Sequence, residues 1–330
     1  MNRHNIKVFV SSVLPAIGID MLRKEKFNVI TWDDNIPIPQ ELLIENARQC
    51  NALLCTLTAK IDAQFLNECS HLEIISQFGV GYDNINVPEA TRLGIPVGNT
   101  PGVLTDATAD IAFGLMLAVS RKMFFMHKKI EKGEWKHFTP ISNLGIELKH
   151  KTLGVFGLGR IGIEMAKRCK GAYGMNIIYY NRSQNKEAEE LLGAKYVSFD
   201  DLLAQSDVLS VHSILSEATK GIFNKAAFHK MKRTSIFINT SRGGVHNEQD
   251  LIEALGIGRI WGAGLDVTNP EPMQQNNPLL NMENVAVLPH IGSATIEARN
   301  GMSRLAAENI IEFYNTGRMP NPVNPEVLKL

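Results

Sequence analysis

The feature that most constrains the fold is a glycine-rich turn between a strand-like run and a helical run. Gly157, Gly159 and Gly162 follow the apolar run Thr152–Phe156 and precede Ile163–Cys169, whose apolar residues have helical spacing. The first glycine allows a tight turn, the second lets the backbone approach a phosphate, and the third lets the helix pack on the strand. The pattern predicts a dinucleotide-binding turn, although a turn that simply needs glycines would share it.

Short apolar runs alternate with helical patterns in both halves of the chain. The strands predicted in the first part are Lys7–Ser11, Asn28–Trp32, Ala52–Thr56 and Leu72–Phe78, and the helices are Ala16–Lys24, Pro39–Gln49 and Ile61–Glu68. The strands predicted from Lys151 onward are Thr152–Phe156, Asn176–Tyr180, Asp207–Val211, Ser235–Asn239, Ile260–Leu265 and Asn284–Leu288. This alternation predicts parallel sheets covered by helices, and the second set suits a complete dinucleotide-binding unit.

Two long helices indicate how the domains are divided. One begins near Thr105, with Thr105 or Asp106 expected to cap it, and the other is the amphipathic stretch Thr295–Gly317, which prolines follow. The tail is too short to form a domain, so we expect it to pack on the N-terminal domain. The prediction is two α/β domains: residues 1–102 completed by 293–330, and a nucleotide domain at 103–292.

The charge balance argues against several classes of partner. The 330 residues include 34 basic and 34 acidic side chains, with no basic block, so nucleic acid and anionic membrane are poor predictions. The N-terminus has no signal-peptide core, and the most apolar stretch is too short for a bilayer. The four cysteines and nine histidines lack metal-ligand spacing. We expect a cytoplasmic protein without a metal.

The loop after Asn176–Tyr180 bears on which nucleotide is bound. A carboxylate that grips an adenosine ribose is expected about 20 residues beyond the glycines, but Asn181, Arg182 and Ser183 stand there. Arg182 can pair with a 2′-phosphate, and its two neighbours can hydrogen-bond it. The loop favours NADP, with NAD still possible; the alternative is that Arg182 is a solvated cation and either nucleotide is accepted.

Three polar side chains follow the late strands, where ligands of doubly wound sheets bind. Arg242, Glu271 and His290 each lie shortly after one of the last three predicted strands. An arginine can hold a carboxylate in a bidentate fork, and a protonated imidazole can give a proton to a ketone oxygen. A carboxylate beside the imidazole favours its charged form, because unit charges about 4 Å apart attract by ~4 kcal/mol at an effective dielectric of about 20. This set predicts reduction of a 2-oxo acid.

Two further histidines follow strands. His246 comes shortly after Arg242 and is a candidate to support that loop. His212 ends a predicted strand, so it lies either near the nicotinamide or packed at the strand end.

At this point the chain resembles the D-isomer-specific 2-hydroxyacid dehydrogenases along essentially its whole length. Four family signatures occur in family order: Gly-Leu-Gly-Arg-Ile-Gly at 157–162, Asn-Thr-Ser-Arg-Gly-Gly at 239–244, Gly-Leu-Asp-Val with Pro-Glu-Pro after it, and Pro-His-Ile-Gly-Ser-Ala-Thr at 289–295. Segments 77–85 and 99–105 look most like those of the glyoxylate/hydroxypyruvate reductases, including their 2-ketogluconate-reducing relatives. The resemblance implies a Rossmann nucleotide domain and a flavodoxin-like substrate domain, both doubly wound parallel-sheet domains.

The resemblance also implies roles for individual residues. Arg242 would bind substrate, Glu271 and His290 would be the acid/base pair, and the backbone N–H groups of Val80 and Gly81 would hold the carboxylate. Leu57 would lie over the substrate. The predicted cofactor contacts are Thr105, Gly157, Gly159, Arg160, Ile161, Gly162, Asn181, Arg182, Ser183, His212, Thr240, Ser241, Arg242, Asp266, His290 and Gly292. The family is dimeric, which implies a homodimer with exchanged contacts along Met123 to Lys149.

The predicted activity is NAD(P)H-dependent reduction of a glyoxylate- or hydroxypyruvate-type acid to the D-2-hydroxy acid, with His290 as proton donor. One alternative is a dehydrogenase of another 2-hydroxy acid, such as 3-phosphoglycerate or 2-ketogluconate. A non-catalytic nucleotide-sensing regulator is the alternative from another class. It would keep the glycine loop but would have no need for Arg242, Glu271 and His290 together.

Overall fold

The computed structural model describes residues 3–328, and the chain divides into two compact units. The first unit is Met1–Leu104 with Ala294–Leu330, and the second is Thr105–Ser293. The chain therefore leaves the first unit once and returns to it once.

The first unit contains a five-stranded parallel sheet in the order β2-β1-β3-β4-β5, the flavodoxin-like order. Its strands are β1 (Lys7–Val10), β2 (Asn28–Thr31), β3 (Ala52–Cys55), β4 (Ile74–Gln77) and β5 (Val97–Gly98). Its helices are α1 (Ala16–Lys24), α2 (Gln40–Ala47), α3 (Ala63–Glu68), α4 (Val87–Arg92) and, from the C-terminal part, α12 (Ile296–Thr316). All four residues of β3 and of β4 are buried, as expected for strands covered on both faces.

Helix α12 belongs to the first unit. Thr295 caps its start by accepting a hydrogen bond from the Ala298 N–H at 3.0 Å, and Gly317, at φ +71°, ends it. The helix packs on α1 and β4. The buried Ser76 hydroxyl of β4 donates to the Ala306 carbonyl at 2.8 Å, so the sheet and the C-terminal helix are joined by a polar contact as well as by packing.

The second unit contains a seven-stranded parallel sheet in the order β12-β11-β10-β9-β6-β7-β8. Its strands are β6 (Thr152–Phe156), β7 (Asn176–Tyr180), β8 (Lys195–Tyr196), β9 (Val208–Val211), β10 (Ile236–Asn239), β11 (Gly262–Leu265) and β12 (Val285–Val287). Its helices are α5 (Thr105–Ser120), α6 (Met123–Glu131), α7 (Arg160–Tyr173), α8 (Lys186–Leu192), α9 (Phe199–Gln205), α10 (Lys225–Lys230) and α11 (Glu248–Gly256). The order reverses between β6 and β9, where doubly wound sheets bind nucleotides.

The structure corrects three details of the sequence reading. Strands β5 and β8 were not predicted, because each has two residues and neither stands out as an apolar run. Helix α5 begins at Thr105, so Thr105 and Asp106 lie in its first turn instead of capping it. Asp106 still stabilises the helix there, because a negative charge in the first turn favours the helix dipole.

The segment from α6 to residue 149 is the most exposed part of the second unit. Trp135, Phe138 and Ile141 are 70%, 84% and 83% exposed.

None of the helices in residues 3–328 combines the length and apolarity that a bilayer span requires.

Candidate active site

The glycine loop has the shape of a phosphate cradle. Gly157 adopts φ +99°, and a Cβ built there would lie 2.8 Å from the His212 carbonyl carbon, so only glycine fits. A Cβ on Gly162 would lie 2.5 Å from the Gly157 oxygen, so α7 packs directly on the loop. At Gly159 a Cβ would meet no described atom within 4 Å, and no side chain in residues 3–328 caps α7. The helix N-terminus and the open space over Gly159 fit a dinucleotide pyrophosphate.

The loop after β7 is tied to the glycine loop by two asparagines. The Leu158 N–H donates to Asn181 Oδ1 at 2.7 Å, and Asn185 Nδ2 donates to the Leu158 carbonyl at 3.0 Å. Asn181 therefore has its oxygen engaged and its amide nitrogen left for a ligand. Arg182 and Ser183, between the two clamps, are exposed, and the Arg182 side chain makes no hydrogen bond or ion pair within residues 3–328.

His212 lies beside the glycine loop, after β9. Its Nε2 is 2.8 Å from the Ser210 hydroxyl, and burial lowers the pKa of the ring to about 4, so the ring is neutral near pH 7. Two buried hydroxyl oxygens nearby in the fold, Ser213 Oγ and Thr240 Oγ1, lack a hydrogen-bond partner in the described chain. Thr240 was predicted as a cofactor contact, and an unpartnered buried hydroxyl suits a ligand-facing position.

The structure brings His290 and Glu271 together. His290 Nδ1 is 2.5 Å from Glu271 Oε1, and the two side chains are 31% and 40% exposed. Desolvation raises the pKa of Glu271, but the hydrogen bond and charge of His290, the Thr268 N–H and the Arg242 charge outweigh it, so the net pKa is below the ordinary value. With Nδ1 held by Glu271, the other ring nitrogen, Nε2, is the one left for a ligand.

Asp266 fixes the backbone that carries His290. Its carboxylate, buried at the end of β11, accepts the Ile291 N–H at 2.8 Å and the Gly292 N–H at 2.7 Å. His290 itself has φ +53°, a conformation uncommon for a side chain other than glycine. A Cβ on Gly292 would lie 2.9 Å from Asp266 Oδ2. Asp266 and Gly292 thus hold the turn that presents the imidazole.

Arg242 follows β10 on a turn that touches the Glu271 loop. Its Nη1 donates to the Ser241 carbonyl at 2.7 Å. The next residue, Gly243, lies so close to the Thr268 carbonyl that any Cβ there would collide with it. The turn that carries the arginine is therefore packed against the start of the segment that leads to Glu271.

The predicted substrate loop of the first unit exposes two backbone donors. Asn99 Nδ2 donates to the Val80 carbonyl at 2.8 Å, and the buried Gln77 Nε2 donates to the Gly81 carbonyl at 3.3 Å. The N–H groups of Val80 and Gly81 have no hydrogen-bond partner within residues 3–328. Leu57, half-buried, follows β3 in the same unit. Two consecutive N–H groups without partners can both donate to an anion, and this pair of groups is called the nest below.

Sequence reasoning missed the amide side chains that support these loops. Gln77 and Asn99 in the first unit and Asn239 in the second hold backbone carbonyls of the loops just described. The sequence could have pointed to these residues, because each is polar and stands within or directly after an apolar strand. A buried polar residue is more informative than an exposed apolar one. Within residues 3–328, no three His, Cys, Asp or Glu side chains are grouped as a metal site requires.

Comparison with known proteins agrees with this geometry. Residues 113–292 match the model of the D-isomer specific 2-hydroxyacid dehydrogenase, NAD binding domain. The chain is 47% identical over 326 residues to the glyoxylate reductase of Thermococcus litoralis, an alignment that covers 98% of both chains. A glyoxylate reductase structure from Paecilomyes thermophila has a TM-score of 0.87 at 33% identity, covering 98% of this chain and 99% of the other.

A structure from Sinorhizobium meliloti is also similar. It is an NADPH-dependent glyoxylate/hydroxypyruvate reductase in complex with NADP and malonate, with a TM-score of 0.86 at 30% identity and 99% of each chain covered. A parallel sheet with a dinucleotide loop and a paired imidazole and carboxylate defines a nucleotide-dependent oxidoreductase. More narrowly, the chain belongs to the D-isomer specific 2-hydroxyacid dehydrogenases. It therefore depends on a nicotinamide cofactor, which the residues around Gly159 fit.

Proposed function

We propose that this protein reduces a small 2-oxo acid of the glyoxylate or hydroxypyruvate type to the D-2-hydroxy acid and prefers NADPH. The observation that carries the proposal is the 2.5 Å contact between His290 and Glu271 on a unit that also presents Arg242 and the glycine loop. The names of the relatives from Thermococcus litoralis and Sinorhizobium meliloti support the substrate class. A nucleotide-sensing regulator would have no use for this acid/base pair.

The proton is assigned to His290. When bound, a nicotinamide would supply the hydride. Nε2 of His290 is the group assigned to give its proton to the substrate oxygen as negative charge develops there. Glu271 holds Nδ1 and stabilises the charged imidazole that exists before the transfer. Because its pKa is lowered, the Glu271 carboxyl is ionised at neutral pH and places a negative charge beside the imidazole.

The substrate carboxylate and carbonyl are assigned to Arg242 and to the nest at Val80 and Gly81. A guanidinium offers two parallel N–H donors to a carboxylate or carbonyl oxygen, which fixes orientation as well as charge. The two backbone N–H groups add neutral donors whose direction is set by the Gln77 and Asn99 amides behind them. Leu57 is assigned as the apolar residue over the substrate.

The preference for NADPH is assigned to the loop after β7. Arg182 is exposed, and its side chain makes no hydrogen bond or ion pair within residues 3–328. The Asn181 and Asn185 side chains hold the loop next to the glycine turn. A carboxylate that would repel a 2′-phosphate is absent from positions 181–183. We also propose the remaining predicted cofactor contacts, which lie between Thr105 and Gly292, because the family resemblance implies them.

We also propose a homodimer that forms through the second unit. The exposed apolar side chains of the segment after α6, among them Trp135, Phe138 and Ile141, are more than two-thirds exposed in the single chain. Burying them against a second copy would gain roughly 25 cal/mol per Å² of apolar surface. Analytical ultracentrifugation of the protein and of a Phe138→Asp variant tests the assignment, which a monomeric unmodified protein would contradict.

The experiment that tests the activity is oxidation of NADPH and NADH by the pure protein with glyoxylate, hydroxypyruvate, 2-ketogluconate and 3-phosphohydroxypyruvate. We expect turnover of the first two with NADPH. An Arg182→Ser variant should raise the KM for NADPH about 10- to 100-fold, the value of a lost charge-assisted hydrogen bond, and leave that for NADH unchanged. The matched control is Arg233→Ser, which removes another exposed arginine. Nucleotide binding without turnover of any 2-oxo acid would favour the regulator.

A further inference from the structure

The Asn239 side chain uses all of its hydrogen-bonding capacity on the Arg242 turn. Its Oδ1 accepts from the N–H and the hydroxyl of Ser241 at 3.0 and 2.9 Å. Its Nδ2 donates to the Arg242 carbonyl at 2.9 Å and lies 3.0 Å from His246 Nδ1. The orientation of the amide is fixed, because a backbone N–H can only donate and a backbone carbonyl can only accept.

That orientation fixes the state of His246. An amide nitrogen can only donate, so His246 Nδ1 must be an acceptor and the ring must carry its proton on Nε2. Burial also lowers the pKa of His246 to about 4, in the same direction. Protonation of Nδ1 would place two donors against each other.

Burial of the His246 side chain lowers the stability of the fold. The residue is 1% exposed, and its Nε2 has no hydrogen-bond partner in the described chain. A buried polar group without a partner costs roughly 1–3 kcal/mol. An apolar side chain of similar size would avoid this cost but could not accept a hydrogen bond from Asn239. What the histidine adds to the structure is the hydrogen bond that its Nδ1 accepts from Asn239.

We propose that Asn239 and His246 are positioning residues for Arg242. His246 fixes the Asn239 carboxamide, and the carboxamide fixes the backbone from which the guanidinium reaches the 2-oxo acid. The inference rests on the proposed function, because it gives a role to the residues behind Arg242 in that reaction. Neither residue needs to touch the substrate or the cofactor.

The same segment also reaches the loop of the acid/base pair. Glu248, at the start of α11, accepts the Asn269 N–H at 3.0 Å and Asn277 Nδ2 at 2.7 Å. Gly243 packs on the Thr268 carbonyl. Residues 239–248 therefore connect the turn of Arg242 to the segment of Glu271, so a shift of the first turn changes the geometry of both.

Three variants separate positioning from packing. His246→Leu removes the acceptor but keeps the bulk, whereas His246→Asn places an oxygen where Nδ1 was and leaves a larger void. Asn239→Asp keeps the shape but turns the oxygen lone pairs of an acceptor toward the Arg242 carbonyl. An exposed histidine changed in the same way, His229→Leu, is the matched control.

We expect His246→Leu to lower kcat/KM for glyoxylate about 10-fold and Asn239→Asp about 100-fold, because misplacing a substrate-holding group by ~1 Å costs up to that much. His246→Asn should stay within about 3-fold of the unmodified protein. A packing role predicts the reverse order, with the asparagine variant the more damaged. That order overturns the proposal and leaves the proposed activity standing.

The proposal can also be tested on the unmodified protein, in case the variants do not fold. Nitrogen-15 NMR of the histidine side chains at pH 7 should show His246 neutral, with its proton on Nε2. A proton on Nδ1, or a charged ring, overturns the proposal. An unmodified protein that turns over no 2-oxo acid at all overturns the proposed activity and, with it, the role given to Asn239 and His246.

Discussion

The two loops assigned to substrate binding are built alike but offer different groups. In the first unit, Gln77 and Asn99 hold the carbonyls of residues 80 and 81, and the loop presents two backbone N–H groups. In the second unit, Asn239 holds the carbonyl of Arg242, and the loop presents a charged guanidinium. Amide side chains support both loops, yet one loop presents backbone donors and the other presents a side-chain donor.

Because of this difference, different substitutions are needed to remove the donor groups of the two loops. A side-chain donor is removed by replacing one residue, so the chemistry of the second unit is open to direct mutation. A backbone N–H remains whatever side chain its residue carries, so the nest in the first unit can be changed through the amides that orient it. We therefore expect large effects on kcat in the second unit and smaller effects on KM in the first.

The largest effect is expected at His290. Replacing it with glutamine keeps a polar side chain but removes the proton donor, so kcat should fall about 10²- to 10⁴-fold, the usual contribution of general acid catalysis. His229→Gln is the control at an exposed position. If more than a tenth of the turnover survives, another group supplies the proton.

Arg242→Lys comes next and tests the value of the fork. The charge remains, but the two parallel donors are lost, so kcat/KM for glyoxylate should fall about 10²-fold. Steady-state kinetics measures the change, with Arg233→Lys as the matched control. Activity close to that of the unmodified protein would mean that charge alone suffices, which would remove the contrast with the neutral nest.

A smaller effect is expected in the first unit. Asn99→Ala removes the donor that holds the Val80 carbonyl, so the KM for glyoxylate should rise about 10-fold with kcat little changed, the equivalent of one supporting hydrogen bond. The exposed amide of Asn67, changed to alanine, serves as control. A fall in kcat at constant KM would show that this loop takes part in the chemical step and would break the comparison.

The last effect concerns the stability of the fold at acidic pH. The folded pKa of His246 is about 4, against about 6.5 unfolded, so the unfolded chain alone takes up the proton between these values and stability falls as pH falls. Between pH 7 and pH 5 this amounts to about 2 kcal/mol. Urea unfolding of the unmodified protein and of His246→Leu should show a shallower pH dependence in the variant. Equal slopes would contradict the burial of a neutral ring, and His229→Leu should leave the slope as it is.

The sequence predicted the parts of the fold that depend on composition along the chain. Strands such as β6 and β7 are long apolar runs between polar turns, and their predicted bounds agree with the structure. Strands β5 and β8 pair through two residues each, and only their neighbours in space make them strands. The predicted start of α5 near Thr105 agrees with the structure, but the predicted cap was wrong, because aspartate is favoured both as a cap and in the first turn.

The candidate site divides in the same way. Arg242, Glu271 and His290 were predicted from residue type and from their place after late strands, and the structure pairs the last two of them. The supporting roles of Gln77, Asn99 and Asn239 depend on which atom of an amide faces which backbone group, and no spacing along the chain contains that information. His246 was predicted as a candidate support for the arginine loop, and its contact with Asn239 gives that prediction a specific atom.

The discontinuous first unit has a consequence for how the protein is made. Strands β1 to β5 leave the ribosome early, but α12, which packs on β4, follows only after the roughly 190 residues from Thr105 to Ser293. At ~5–20 residues per second, translation of that stretch takes roughly 10–40 s. During this interval the face of β4 whose Ser76 will bind Ala306 has no covering helix. The first unit is therefore completed only when the last helix emerges.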